Sequence, residues 1–199
     1  MDIFYLKKSE FLPNVSEISL KRFSDEREFK SKEKEIEHLL GIFLTKFIAK
    51  QVYDVKNLEI ETRGGKPFFK SNEIFFSISH SEDIVLVVFN NSNIGVDVEY
   101  MKDGKNYKLI MKRYGIDAKN PSKKEFYRFW TVHEAEIKLN GHIRSLFSEL
   151  LEENYMLACV SDNIFVANFL IKKLTCNGEN VDLEEELKYP KFVKFNFVK

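Results

Sequence analysis

Three short segments of this chain set charge beside apolar residues in a way that suits a divalent cation and a pyrophosphate. They are Ser77-Ile78-Ser79-His80-Ser81, Gly95-Val96-Asp97-Val98-Glu99 and Phe129-Trp130-Thr131-Val132-His133-Glu134-Ala135-Glu136-Ile137-Lys138. Burying charge is costly unless it is paired or bound to a metal, so such placements are candidate sites. Asp97 and Glu99 stand two apart in a strand-like run. Their side chains therefore leave one face, while Ile94, Val96 and Val98 leave the other for the core. Two carboxylates roughly 7 Å apart at the backbone can converge on one cation, which relieves their repulsion. The competing reading is an exposed strand with two solvated acids.

The third segment reads as a helix. At about 100° per residue, Phe126, Phe129, Trp130 and Ile137 form one apolar stripe. Glu134 and Lys138 lie at its rim, one turn apart. They either line a cleft or form an ordinary surface ion pair of about 0.3–0.5 kcal/mol. His133 falls within the stripe, a position suited to a hydrogen-bonded histidine near the core. His80 follows Ile74, Phe76 and Ile78 at a strand end. A protonated imidazole there, with the Ser79 and Ser81 hydroxyls, suits phosphate oxygens; otherwise it merely ends the strand. Lys66, between Gly65 and Pro67, is a cation on a stiff turn and by itself a weak signal. An all-carboxylate ligand set favours magnesium or manganese over zinc. Magnesium takes one or two carboxylates and completes its shell with water and substrate phosphates. The sequence has no Gly-rich phosphate loop, which argues against a nucleotide kinase or GTPase of the usual kind.

These residues need elements to hold them. The chain has 199 residues, 44% apolar with 19 Phe and 8 Tyr, enough for a substantial core. Its 31 basic and 31 acidic residues cancel, so net charge gives no reason to expect nucleic-acid binding. Two cysteines, Cys159 and Cys176, cannot make a disulfide framework or a four-ligand zinc site, and Cys159 suits a small buried hydrophobe. No apolar stretch approaches the ~20 residues of a bilayer span, and no apolar run follows Lys7 and Lys8 as a secretory signal requires. A cytoplasmic, soluble protein is the expectation.

Asp2 to Leu6 reads as a strand. Ile36, Leu39, Leu40, Phe43, Leu44, Phe47 and Ile48 recur at helical spacing within 31–50, with Lys and Glu on the opposite face. Runs at 74–80, 84–89 and 94–99, separated by short turns, predict an antiparallel meander whose middle strand is covered on both faces. Residues 101–120 are Lys-rich, a linker with a short helix. Ser122 and Glu125 are spaced as a capping box for a helix reaching about Asn140 and stopping at Gly141. Strands are expected at 155–160, 164–170 and 192–198, with the acidic run 179–186 as a solvated loop or helix face. Two α/β halves, 1–100 and 101–199, are the expected domain organisation.

Gly65-Lys66-Pro67, the Ser77–Ser81 segment, Ile94–Glu99 and Phe129–Lys138 occur in the order and spacing of the Sfp-type 4′-phosphopantetheinyl transferases, which this chain resembles from about Arg22 to Leu170. Leu39-Leu40-Gly41 with Leu44, and Tyr155–Cys159, extend the likeness. The resemblance implies two similar α/β halves related by a pseudo-twofold axis, each an antiparallel sheet on helices, with the site between them. It implies transfer of the phosphopantetheine arm of coenzyme A to a serine of an acyl, peptidyl or polyketide carrier protein, releasing 3′,5′-ADP. By resemblance Asp97, Glu99 and Glu134 bind magnesium (manganese as an alternative), His80 and Lys138 contact phosphates, and Lys66 with Pro67 packs by the adenosine end. Glu134, directly or through water, is the candidate base. No partner subunit is required, so a monomer is expected.

Several positions depart from the family pattern: His133 where a Lys is usual, Lys46 where an Arg is usual, and His142-Ile143 after Gly141. They motivate the alternative of a non-catalytic module that binds coenzyme A or a carrier. The Lys-rich segment from Lys102 to Lys124 is either a docking face for an acidic carrier or a solvated surface.

Overall fold

The structure, a computed structural model, describes residues 1–15, 20–21, 28–72, 74–165, 169–177 and 180–189. In chain order the elements are β1 (Asp2–Lys7), α1 (Lys8–Phe11), α2 (Lys32–Gln51), β2 (Ile60–Arg63), β3 (Lys66–Phe69), β4 (Phe75–Ser81), β5 (Ile84–Asn90) and β6 (Ile94–Tyr100). They continue with α3 (Tyr107–Arg113), α4 (Lys123–Leu139), β7 (Ser145–Glu152), β8 (Tyr155–Ser161), β9 (Phe169–Asn177) and β10 (Asn180–Tyr189). The mixed α/β class expected from the pattern is what the chain adopts. The strand expected at 192–198 lies outside the described residues.

The strands form a five-stranded sheet in the order β10-β9-β1-β5-β4, a three-stranded sheet β6-β8-β7, and a β2-β3 hairpin. Every pairing is antiparallel except β1 with β9. β5 lies between β1 and β4 and is covered on both faces, as its unbroken apolar run predicts. Val85, Val87 and Phe89 pack towards α2 with Leu40, Leu44 and Ile48. Ile84, Leu86 and Val88 pack the other way against Val96, Val98 and Leu157 of the smaller sheet. On that sheet's far side, Ala158 and Val160 meet Ala135 and Leu139 of α4. The result is four layers, helix-sheet-sheet-helix, with each buried aliphatic or aromatic side chain contributing about 1.5–3 kcal/mol to holding them together.

Two expectations need correction. The meander closes only between β4 and β5; β6 leaves that sheet and pairs with β8. The acidic run expected at 179–186 falls, from residue 180 on, in β10, paired antiparallel with β9, not in a loop or helix; residue 179 lies outside the described residues. Sheet membership also crosses residue 100: β9 and β10 extend the sheet of β1, β4 and β5, and β6 joins β7 and β8.

β4 and β6 nevertheless touch, through side chains. The hydroxyls of Ser77, Ser79 and Ser81 accept hydrogen bonds from the backbone N–H groups of Val96, Val98 and Tyr100, at 3.1, 3.2 and 3.0 Å. The alternating serines thus satisfy β6 donors that lie beside a strand of the other sheet, where a backbone ladder is not available. This seam sets the height of β6 against β4 and so the position of its carboxylates.

Candidate active site

Gly95, Asp97 and Glu99 leave the face of β6 that meets α4. Gly95 permits the contact: a Cβ built there would lie 2.0 Å from the Ala135 carbonyl oxygen and 2.6 Å from the Leu139 nitrogen. α4 is fixed at its start by the predicted capping box, in which Ser122 Oγ accepts from the Glu125 N–H and the Glu125 carboxylate accepts from the Ser122 N–H. It ends at Asn140, whose backbone is left-handed (φ 51°), one residue before the expected glycine. Its buried face is Phe126, Tyr127, Thr131, Ala135 and Leu139. The expected stripe is therefore rotated, and Ile137 is 59% exposed. The reason is Gly95: the helix turns its smallest side chain, Ala135, to the point of closest approach.

Trp130, Glu134 and Lys138, one turn apart along α4, run beside the acidic pair. Lys138 Nζ donates to Asp97 Oδ1 at 2.8 Å and to Ser79 Oγ at 3.0 Å. Ser79 Oγ donates to the same Asp97 oxygen at 2.9 Å. Trp130 Nε1 donates to Glu99 Oε1 at 3.3 Å, and Ser81 Oγ to Glu99 Oε2 at 3.4 Å. Glu134 is half-buried and lies one helical turn from each of the two anchored residues Trp130 and Lys138, on the same side of α4. Asp97 is 6% exposed, and its Oδ2 is buried without a hydrogen-bond partner. Burial raises the Glu99 carboxyl above its usual range, the Asp97 charge adds to this, and Lys105, Trp130 and Lys138 offset part of it.

Among the described residues no group of three or more His, Cys, Asp or Glu is placed to hold a metal ion. Asp97, Glu99 and Glu134 do not form a ready cage, and the Lys138 ammonium sits on Asp97 instead. An orphaned carboxylate oxygen beside a second, under-neutralised carboxylate still fits a magnesium ion, which needs only one or two such ligands from protein.

The remaining expected site residues lie elsewhere. His80 follows Ser79 on β4 and so leaves the opposite face, towards α2. Its Nδ1 is 3.2 Å from Glu37 Oε2. It lines a cleft of about 290 Å³ together with Lys34, Glu37, His38, Pro67 and Ile78. Burial lowers the His80 pKa, and the Glu37 charge only partly opposes this. Pro67 thus reaches the cleft beside His80. Lys66 does not: its ammonium donates to the Ile94 carbonyl at 2.7 Å and to Asn93 Oδ1, pinning the start of β6. His133 meets Tyr114 edge-on at 4.7 Å between ring centres and lies near Phe129 and Trp130.

Glu37 is the residue that reading the sequence misses. At 3% exposure it is a buried carboxylate on α2, placed among the lysines and glutamates assigned to the solvated face. The available signal was its spacing from Leu40 and Leu44, which puts it on the apolar face.

No protein-family model matches the chain. Curated proteins do. The ffp 4′-phosphopantetheinyl transferase of Bacillus subtilis is 30% identical over 155 residues, covering 70% of this chain and 69% of the relative. The chain belongs to the 4′-phosphopantetheinyl transferase family. A Haemophilus influenzae protein bearing a 4′-phosphopantetheinyl transferase name is 32% identical over 116 residues, 52% of this chain and 48% of that protein. HetI of Nostoc sp. is 29% identical over 97 residues, 42% and 40% respectively. The matches to these two span half or less of each relative's length. Among the described residues, no helix of this family member is long and apolar enough to cross a membrane.

Lys66 has a measurable consequence. Burial drives its pKa from 10.5 down to about 8, with Asp162 opposing. The native state then releases this proton near pH 8, while the unfolded chain holds it to 10.5. Between those values the unfolded state binds more protons, so the Lys66 contribution to stability rises with pH. Urea denaturation at about pH 7.5 and about pH 9.5 should show wild type gaining stability relative to Lys66→Met. A constant difference between the two proteins contradicts the assignment.

Proposed function

We propose that this chain transfers the 4′-phosphopantetheine arm of coenzyme A to a serine hydroxyl of an apo acyl, peptidyl or polyketide carrier protein, releasing 3′,5′-ADP. The observation that carries the proposal is the Ser79–Asp97–Lys138 cluster beside Glu99 and Glu134, on the segments that resemble the family's motifs. The proposed architecture is two α/β halves, roughly 1–100 and 101–199, related by a pseudo-twofold axis. Each half contributes one long helix, α2 packed on the five-stranded sheet and α4 on the three-stranded one.

Each side chain has a physical task in this reading. Attack on a phosphoryl group depends chiefly on positioning and on neutralising charge at the transferring oxygens. Asp97 and Glu99, with Glu134 beside them, would hold the magnesium ion, which supplies positive charge to the pyrophosphate. Lys138, tethered to Asp97 and Ser79, offers a second positive charge to the same oxygens. Trp130 and Ser81 keep the Glu99 carboxylate from turning away. The carrier serine attacks phosphorus, the bond to the leaving 3′,5′-ADP breaks, and the serine proton passes to Glu134 as general base. His80, Lys34 and Pro67 receive the adenosine and phosphate end of coenzyme A in the cleft above α2. A monomeric enzyme is consistent with a site made within one chain, and a cytoplasmic location is part of the same proposal.

Chromatographic release of 3′,5′-ADP in the presence of coenzyme A, magnesium and an apo-carrier tests the proposal. Glu134→Gln should lower kcat by about 100-fold, the lower range for loss of a general base, while coenzyme A binding stays close to wild type. Equal rates in variant and wild type remove Glu134 from its role. Magnesium-dependent binding without turnover in wild type indicates the non-catalytic module instead.

A further inference from the structure

The cleft above α2 holds a carboxylate where an anion-binding surface would not be expected to have one. Glu37 Oε1 accepts from Lys8 Nζ at 2.9 Å, and Oε2 from Lys34 Nζ at 2.8 Å. The same Oε2 faces His80 Nδ1 at 3.2 Å. The residue lies on the apolar side of α2 with Leu40 and Leu44, both fully buried. Packing alone does not call for it: replacing a buried ion pair by a well-packed hydrophobe is often neutral or stabilising. Burial pushes the Glu37 carboxyl up, yet its bonds to Lys34 and Lys8 and the nearby His80 outweigh this and hold it below the usual range. It is therefore a fixed negative charge that accepts from two ammonium groups and lies beside the His80 ring.

We propose that Glu37 is a positioning residue for the coenzyme: it fixes the His80 ring with Nδ1–H towards α2 and Nε2 towards the cleft, and holds Lys34 at the rim. The ligand named here rests on the transferase reading above. The charge balance suits it. Two ammonium groups and one carboxylate leave a net positive charge whatever the state of the imidazole. Lys34 is 58% exposed along its side chain, so its ammonium can meet a phosphate without leaving Glu37. Glu33, 3.8 Å from Lys8, is 73% exposed and screened by water. In a neutral imidazole one nitrogen donates and the other accepts, so a carboxylate on Nδ1 selects the tautomer and, with it, what the cleft meets.

The test begins with wild-type protein. Nitrogen-15 NMR of the imidazole in the ligand-free protein at neutral pH should show His80 protonated at Nδ1 and bare at Nε2, and coenzyme A binding should add the Nε2 proton that faces the phosphate; the reverse tautomer in the ligand-free protein overturns the proposal. Glu37→Leu, which fills the apolar site, should keep a wild-type melting temperature and lose that tautomer preference. It should also raise KM for coenzyme A about tenfold with kcat within about twofold, the size expected for one hydrogen bond to a charged group. In a His80→Gln background most of the KM increase should vanish. If Glu37→Leu does not fold, Glu37→Gln replaces it, with a smaller KM rise in the same direction. Unchanged KM and an unchanged His80 spectrum in an active enzyme overturn the proposal. If wild type transfers nothing to any carrier, the ligand assignment fails, and the NMR result still decides the role of Glu37.

Discussion

Asp97→Asn is expected to lower kcat/KM for phosphopantetheine transfer by about a thousandfold while leaving the protein folded. The replacement is nearly isosteric, and its amide oxygen can still accept from Lys138 and Ser79, as Oδ1 does now. What it removes is the charge and the second oxygen. That oxygen, Oδ2, is buried and has no hydrogen-bond partner. Buried polar atoms are nearly always satisfied, so an orphan on an ionised group costs stability that folding alone does not recover. Losing charge stabilisation at a phosphoryl-transfer centre costs about 10²–10³ per group, and Asp97 also orients Lys138, which places the estimate at the upper end. The magnesium concentration giving half-maximal rate should rise as well. Steady-state kinetics of Asp97→Asn within tenfold of wild type, at equal magnesium, would remove Asp97 from the centre of the site.

Gly95→Ala is the second large effect, acting on the scaffold rather than the chemistry. The added Cβ would meet the Ala135 carbonyl oxygen at 2.0 Å and the Leu139 nitrogen at 2.6 Å. Both are backbone atoms of α4, so no side-chain rotation relieves the clash. Either β6 or the helix must move by about 1 Å or more, against cores packed on both sides of β6. A loss of about 4 kcal/mol is expected, among the largest for a single substitution. Lys138 is adjacent to Leu139, so any helix shift that admits the methyl group also draws the ammonium off Asp97. A variant that folds should therefore transfer slowly, because displacement of about 1 Å at a catalytic group costs about 100-fold. Thermal denaturation within a few degrees of wild type, with normal activity, contradicts this packing.

The two predictions show which parts of the site the sequence makes legible. Asp97 and Glu99 could be placed on one face because Val96 and Val98 so plainly belong on the other, and both are fully buried. The capping box of Ser122 and Glu125 likewise fixes the start of α4 from local chemistry. Periodicity does not name partners, however. The short turn between Asn90 and Ile94 reads as a hairpin, yet β6 pairs with β8, a strand some sixty residues later, and meets β4 only through serine hydroxyls. The pairing is decided by which face can be covered, a long-range matter. The acidic run conceals β10 in the same way: Val181 and Leu183 alternate with exposed Asp182, but the surrounding glutamates dominate the composition. Ile137 looks like core by helical phase and lies outside it because a glycine on another strand sets the rotation of α4. Glu37 was legible only as a position, since nothing near it in sequence points to its contact with His80 on β4.

The most direct measurement is the intact mass of apo-carrier proteins from fatty-acid, peptide and polyketide synthesis after incubation with this protein, coenzyme A and magnesium. The account predicts that at least one gains a single phosphopantetheine group on its serine, that chelating the metal stops the gain, and that Asp97→Asn nearly abolishes it. If no carrier gains mass while coenzyme A binds tightly, the acids of β6 and α4 are not a transfer site.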